Sequence, residues 1–166
     1  PTHRACVDIG GTKVAVSLAG PDAAKTLQLQ ARRAEPTAKE GENDALAQQI
    51  IRLIEAARAE LGGVAVEGVG DSSCGPFVMT TGMVDLAAPN ICGGLAGPER
   101  GLPNTWMSAL LEAPLRARYG QVRVEIDGIG ALEAERRWGA LQGQAHCAYV
   151  TWSTGIGAGV CVDGHV

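Results

Sequence analysis

Aromatic residues are scarce in this chain of 166 residues: three Trp, two Tyr and one Phe, 4% of the sequence. Trp106, Trp138 and Trp152 stand far apart, which favours core packing over a stacking platform for a sugar ring. An excess of one charge is missing too. With 14 Lys and Arg against 18 Asp and Glu, and never more than two like charges in a row, the chain has no electrostatic footprint for a phosphate backbone or an anionic membrane. Nucleic acid and membrane are thereby excluded as principal partners. No apolar run approaches the ~18–20 residues that span a bilayer, and the opening Pro-Thr-His-Arg lacks a signal-peptide core, so a cytoplasmic location is expected. The cysteines, Cys6, Cys74, Cys92, Cys147 and Cys161, include no two separated by only two residues. That spacing matches neither a zinc knuckle nor a thioredoxin-type pair and leaves free, mostly buried thiols as the expectation.

Glycine is what the chain has in excess, 23 residues, about twice ordinary usage. Such a content implies many tight turns or close approaches of backbone to a ligand. Apolar residues make up 46%, and a core in a chain of this size buries roughly 70% of the surface its unfolded form exposes, without metal or disulfide support.

Two β-like runs, residues 4–9 and 13–18, flank Gly10-Gly11-Thr12, a hairpin signal. A third strand is expected over residues 25–32. Leu46, Ala47, Ile50, Ile51, Ile54, Ala57 and Leu61 recur at helical spacing, with Asn43 or Asp44 as cap and Gly62-Gly63 as stop. Residues 64–69 read as a buried strand. Residues 71–104 hold four prolines and six glycines and are expected to be mostly irregular, a binding loop. Residues 106–119 read as a helix broken at Pro114, 122–126 as a strand and 129–141 as a helix. A second hairpin, 147–152 and 157–162, bends at Ser153-Thr154-Gly155-Ile156. This order indicates an α/β fold, a mixed sheet with one antiparallel edge. It places a first domain over 1–128, with 129–166 opening an incomplete second one.

Asp8-Ile9-Gly10-Gly11-Thr12-Lys13 puts a carboxylate at a strand end, then two residues without side chains, a hydroxyl and an ammonium. Glycines let backbone N–H groups approach phosphate oxygens, Thr12 and Lys13 add a donor and a charge, and Asp8 can hold a hydrated Mg²⁺. A plain hairpin turn with a solvated lysine accounts for the same residues. The second bend, Ser153 to Gly159, lacks both the lysine of a P-loop and a following helix, so it matches neither a Walker loop nor a dinucleotide fingerprint.

Taken in order, Asp8 to Lys13, Ser72-Ser73-Cys74-Gly75-Pro76-Phe77, Ala88-Pro89-Asn90-Ile91, Asp127, Trp138-Gly139-Ala140 and Ser153 to Gly159 resemble the ROK-family sugar kinases, most of all the glucokinase-type members. The resemblance covers nearly the whole chain. It implies the actin-like, ribonuclease-H-like fold, with ATP and sugar between two α/β domains. It makes Gly10, Gly11, Thr12 and Lys13 one phosphate-binding bend and Thr154, Gly155 and Gly157 the other, with Asp8 near Mg²⁺. Gly75, Pro76 and Asn90 fall in segments that shape the sugar pocket, and Asp127 matches the catalytic base. As purely structural residues, Asp127 would cap a helix and Asn90 would sit in a turn after Pro89.

Two departures stand out. The family usually carries Asn just before its catalytic Asp, where this chain has Ile126. One polar contact to a sugar hydroxyl is then missing, at a cost of about 1–3 kcal/mol. Gly128 and Gly130 replace better helix formers, at about 1 kcal/mol each. The chain is also roughly half as long as such kinases, ending before the segment with the family's zinc site and further sugar contacts. A truncated or cleaved kinase is therefore expected, completed by a missing C-terminal half or another copy of the chain and homo-oligomeric when complete. The activity implied is ATP-dependent phosphorylation of a hexose such as glucose at its 6-hydroxyl. The alternatives are a non-catalytic sugar sensor of the same family and a chaperone-like or filament-forming ATPase of the same superfold.

Overall fold

The computed structural model describes residues 2–23, 25–152 and 155–166. It divides into two compact units, residues 1–124 and 125–166. The larger unit is built on alternation. In strand β1 (Thr2–Ile9), Ala5, Val7 and Ile9 are buried and share a face with Val14, Val16 and Leu18 of the antiparallel β2 (Lys13–Ala19). Strand β3 (Leu29–Pro36) pairs with β2. It begins four residues later than expected, because the chain first turns: Ala23 N–H donates to Gly20 O, and Lys25 and Thr26 donate to the Asp22 carbonyl.

Helix α1 (Ala45–Glu60) lays Leu46, Ile50, Leu53, Ile54 and Ala57 into the same core. Gly62 and Gly63 end it at φ +78° and +81°, a conformation costly for any side chain, with the Gly63 N–H donating 2.8 Å to Arg58 O. At the other end Asp44 occupies the N-cap position, as expected, but does not cap with its side chain. Its carboxylate accepts instead from Gln48. Strand β4 (Ala65–Ser73) runs parallel to β1, and with β8 (Gln121–Ile126) completes a sheet in the order β3-β2-β1-β4-β8.

The segment expected to be irregular is partly regular. It contains β5 (Phe77–Thr80) and β6 (Met83–Leu86), joined at Thr81-Gly82, both at positive φ, and with β7 (Ala109–Leu110) these form a second small sheet. Two-residue turns of this kind match the twist of the strands they join. A short helix α2 (Gly93–Ala96) follows β6. The next helix, α3, spans only Glu112–Tyr119, with Pro114 in its first turn, where a missing N–H costs nothing, rather than at a break. Residues 106–108, expected in that helix, precede it as coil, and Trp106 is buried.

In the smaller unit, α4 (Asp127–Trp138) packs on a hairpin of β9 (Cys147–Trp152) and β10 (Ile156–Cys161). The helix starts two residues earlier than expected and stops at Trp138. A Cβ on Gly159 would fall 2.6 Å from the Gly128 carbonyl, and one on Gly128 about 3.1 Å from the backbone of Ala158. Gly159 is thus required by close packing, and Gly128 is tightly packed against the same strand. The hairpin's other face presents Val150, Trp152, Ile156 and Val160, with Trp152 83% exposed. None of the described helices is long and apolar enough to cross a membrane.

One core position of the larger unit is an acid. Asp71 lies opposite Val7 in the β1–β4 ladder, 3% exposed, and neither carboxylate oxygen has a hydrogen-bond partner. Burial first, and the charge of Asp8 second, hold its carboxyl well above the usual range. The native state keeps a proton that the unfolded chain releases near pH 4. Stability attributable to this group is therefore full below that pH and is lost as pH rises toward the native value. Asp71→Asn removes the loss. Urea unfolding from pH 4 to 7 should show the variant gaining on the parent by up to about 1.4 kcal/mol per pH unit while the native proton is retained; parallel curves would show that Asp71 is ionised in the fold.

Candidate functional site

The first glycine bend closes where Gly10 N–H donates 2.9 Å to Lys13 O, leaving Gly11 and Thr12 at the tip of the β1–β2 hairpin. Thr12, Lys13 and the Asp8 carboxylate are exposed. The bend is held from behind by a residue that its sequence neighbourhood did not suggest. Thr37, buried, donates its hydroxyl to Gly10 O at 2.8 Å and its N–H to Thr12 O at 3.0 Å. Thr37 is fixed in turn by Gln49 of α1, whose amide donates 2.8 Å to Pro36 O and accepts 2.8 Å from Ala38 N–H. A buried glutamine on an otherwise apolar helix face was the available signal.

Asn90 meets this bend directly. A Cβ on Gly11 would overlap the Asn90 side-chain amide and come 3.1 Å from the Asn90 Cβ. The Asn90 carbonyl oxygen also lies 4.0 Å from the Cys74 sulfur, and Cys74 N–H donates 3.0 Å to Ile9 O. The larger unit therefore gathers Gly10, Gly11, Cys74, Gly75 and Asn90 at one end of β1 and β4. The Gly75–Pro76 bond is cis, and Pro76 O accepts 2.9 Å from Ala87 N–H, tying this turn to the stretch that leads to Asn90.

Beyond Asn90 the chain is fastened by Asn104, another residue missed by sequence reading. Its amide donates to Lys39 O and Ile91 O at 2.8 and 2.9 Å and accepts from Gly93 and Trp106 N–H at 2.7 and 3.1 Å. Four bonds saturate that side chain.

In the smaller unit, Asp127 is the first residue of α4 and half-buried, its Oδ1 accepting 2.7 Å from the N–H of Gly128. A Cβ on Gly157 would lie 4.0 Å from that same oxygen. Asp127 and Gly157 are thus neighbours within one unit, and Gly155 is exposed nearby in the chain. Thr154, with Ser153, lies outside the described residues. Ile126, half-buried, ends β8 immediately before the acid.

Each unit thus has its own cluster, a carboxylate at a strand-to-helix junction beside a glycine strand in one and a glycine bend backed by an asparagine in the other. A sequence profile of the ROK family matches residues 4–166. The chain belongs to the ROK family. It is 30% identical to the N-acetylmannosamine kinase of Salmonella newport, over 95% of this chain and 47% of that protein. Its fold superimposes on the ROK hexokinase of Thermus thermophilus with a TM-score of 0.71 at 30% identity, covering 98% of this chain and 47% of the other. For the Streptomyces griseus ROK glucokinase, whose structure contains glucose and AMPPNP, the TM-score is 0.64 at 27% identity, over 98% and 45%. The chain thus spans about half the length of these relatives, and its α/β architecture is the actin-like one of that family.

Asn104→Ala leaves two carbonyls and two N–H groups to find new partners. Thermal or urea unfolding should show a loss of about 2–3 kcal/mol; a loss under 0.5 kcal/mol would mean that water replaces the amide and that the Asn90 segment is held by packing alone.

Proposed function

We propose that this chain is part of a sugar kinase that moves the γ-phosphoryl group of ATP to the 6-hydroxyl of a hexose, glucose or a close relative, with Asp127 as the base. The observation that carries the reading is the position of Asp127, at the head of α4 with its Oδ1 beside Gly157, in a chain whose family match runs from residue 4 to residue 166. We assign residues 1–128 to a first actin-like domain and 129–166 to the opening of a second, whose remaining part, or another copy of the chain, covers the exposed face of β9 and β10.

In this reading Gly10, Gly11, Thr12 and Lys13 form one phosphate-binding bend and Thr154, Gly155 and Gly157 a second. Gly75, Pro76 and Asn90 line the sugar side. Asp8 suits a hydrated cation: a single exposed carboxylate fits an ion that keeps most of its waters, as Mg²⁺ does, better than a closed protein cage. Bound there, Mg²⁺ would supply neutralisation of phosphate charge. Asp127 accepts the proton of the sugar hydroxyl as that oxygen attacks in line. An ordinary carboxylate is a weak base for an alcohol, but in a loose transition state the proton leaves late and positioning supplies most of the acceleration. The Gly128 N–H bond holds the carboxylate in place for that task. Ile126 donates no hydrogen bond from its side chain, so the pocket gives one sugar hydroxyl less than an asparagine there would.

The test is made on the full-length polypeptide with ATP, Mg²⁺ and a panel of glucose, N-acetylmannosamine and fructose. Asp127→Asn should lower kcat by about 10²–10⁴-fold with an unchanged circular dichroism spectrum. A variant as fast as the parent refutes the assignment of the base. Sugar binding by calorimetry without turnover in the parent itself would replace the kinase by a sensor.

A further inference from the structure

Cys147 and Cys161 close the open end of the β9–β10 hairpin. They are direct partners in the antiparallel register, the last pair of a ladder that runs without a shift from Ile156↔Trp152. Directly opposed residues in such a ladder have Cα atoms about 4.5 or 5.5 Å apart, both within the range a disulfide spans. The side chains share a face of the hairpin, as directly opposed residues do. The pair is held in this register from outside the ladder as well: Gly164 N–H donates 2.8 Å to Ala145 O, Val162 and His165 form a bridge, and Asp163 N–H donates 3.3 Å to His146 Nδ1. Neither cysteine is in a disulfide in this structure.

Their environments differ in a way that divides the chemistry. Cys161 is 1% exposed, with its thiol directed at Ala145 O at 3.4 Å, whereas Cys147 is partly open to solvent. Burial, then the neighbouring Cys161 thiol, pushes the Cys147 thiol up, so Cys147 rests as the thiol. Among the described residues, no third His, Cys, Asp or Glu joins the pair to form a metal cluster.

We infer that Cys147 and Cys161 form a reversible dithiol–disulfide site, in which Cys147 meets a diffusible low-molecular-weight disulfide and Cys161 resolves the adduct. Cys147 sulfur, as thiolate, attacks one sulfur of the small disulfide, whose S–S bond breaks to release one thiol carrying the Cys147 proton. Cys161 sulfur then attacks the Cys147 sulfur, the mixed S–S bond breaks, and a second small thiol leaves with the Cys161 proton. The protein is oxidised by two electrons and the small disulfide reduced to two thiols. The crosslink ties the two strands whose far end carries Gly155 and Gly157, at the end remote from that bend. The inference does not depend on the kinase reading.

The experiment equilibrates the full-length protein with oxidised and reduced glutathione, quenches with acid and a thiol-blocking reagent, and analyses tryptic peptides without reduction. No Lys or Arg lies between Trp138 and Val166, so both cysteines fall in one peptide beginning at Trp138. The expected product is that peptide lighter by two hydrogens, restored by dithiothreitol, with Cys161→Ser stopping at a glutathione adduct on Cys147. In denaturing urea the equilibrium constant for closure should fall at least ~10-fold, because the fold no longer holds the sulfurs together. A persistent glutathione adduct on parental Cys147, an unmodified pair, or an equal constant in urea each overturns the proposal.

Discussion

The larger unit depends on one approach that only a missing side chain allows, the Cα of Gly11 against the side chain of Asn90. It joins a hairpin tip to a segment nearly eighty positions further along, and everything near it serves to hold the two surfaces in place. Thr37 and Gln49 brace the hairpin from the α1 side, while Asn104 fixes the chain beyond Asn90. The Gly11 bend and the Asn90 loop are then one packed element rather than two neighbouring loops, so that in the proposed kinase the phosphate side and the sugar side would be mechanically joined.

The smaller unit repeats the device with different residues. Gly128 and Gly159 let α4 settle onto β10 at backbone distance, which brings the Asp127 carboxylate beside Gly157. A glycine in the first turn of a helix looks like a defect when only propensity is weighed. Here its cost is offset by the contact it permits, and the acid is oriented by a bond to that same glycine's N–H.

What could be read from the chain alone divides along the range of the interactions. Helix α1 was plain because its apolar period is local, and the two hairpins because Gly-rich bends between β-branched runs are local signals as well. The start of β3 was misplaced by four residues because the turns that precede it compete with a pattern that looks strand-like throughout. Residues 77–86 were hidden by the prolines and glycines on either side of them, although Thr81-Gly82 is a usable turn signal. Thr37 and Asn104 carry no motif and act on backbone groups distant in sequence, and only Gln49, polar on an otherwise apolar helix face, left a signal. The bend from Asp8 to Lys13 was legible as a candidate from its own chemistry, whereas the roles of Gly75, Pro76, Asn90, Asp127 and the second bend came from the resemblance to a family. The contacts of Gly11 with Asn90 and of Gly157 with Asp127 give that set a physical basis which spacing did not.

The most direct measurement of this account is calorimetric binding of glucose and of an unhydrolysable ATP analogue to full-length Gly11→Ala beside the parent. A Cβ at this position displaces Asn90, so both ligands should bind more weakly, the sugar by about tenfold or more, although residue 11 belongs to the phosphate bend. Unchanged sugar affinity alongside weakened nucleotide binding would contradict the claim that bend and sugar loop are one packed element.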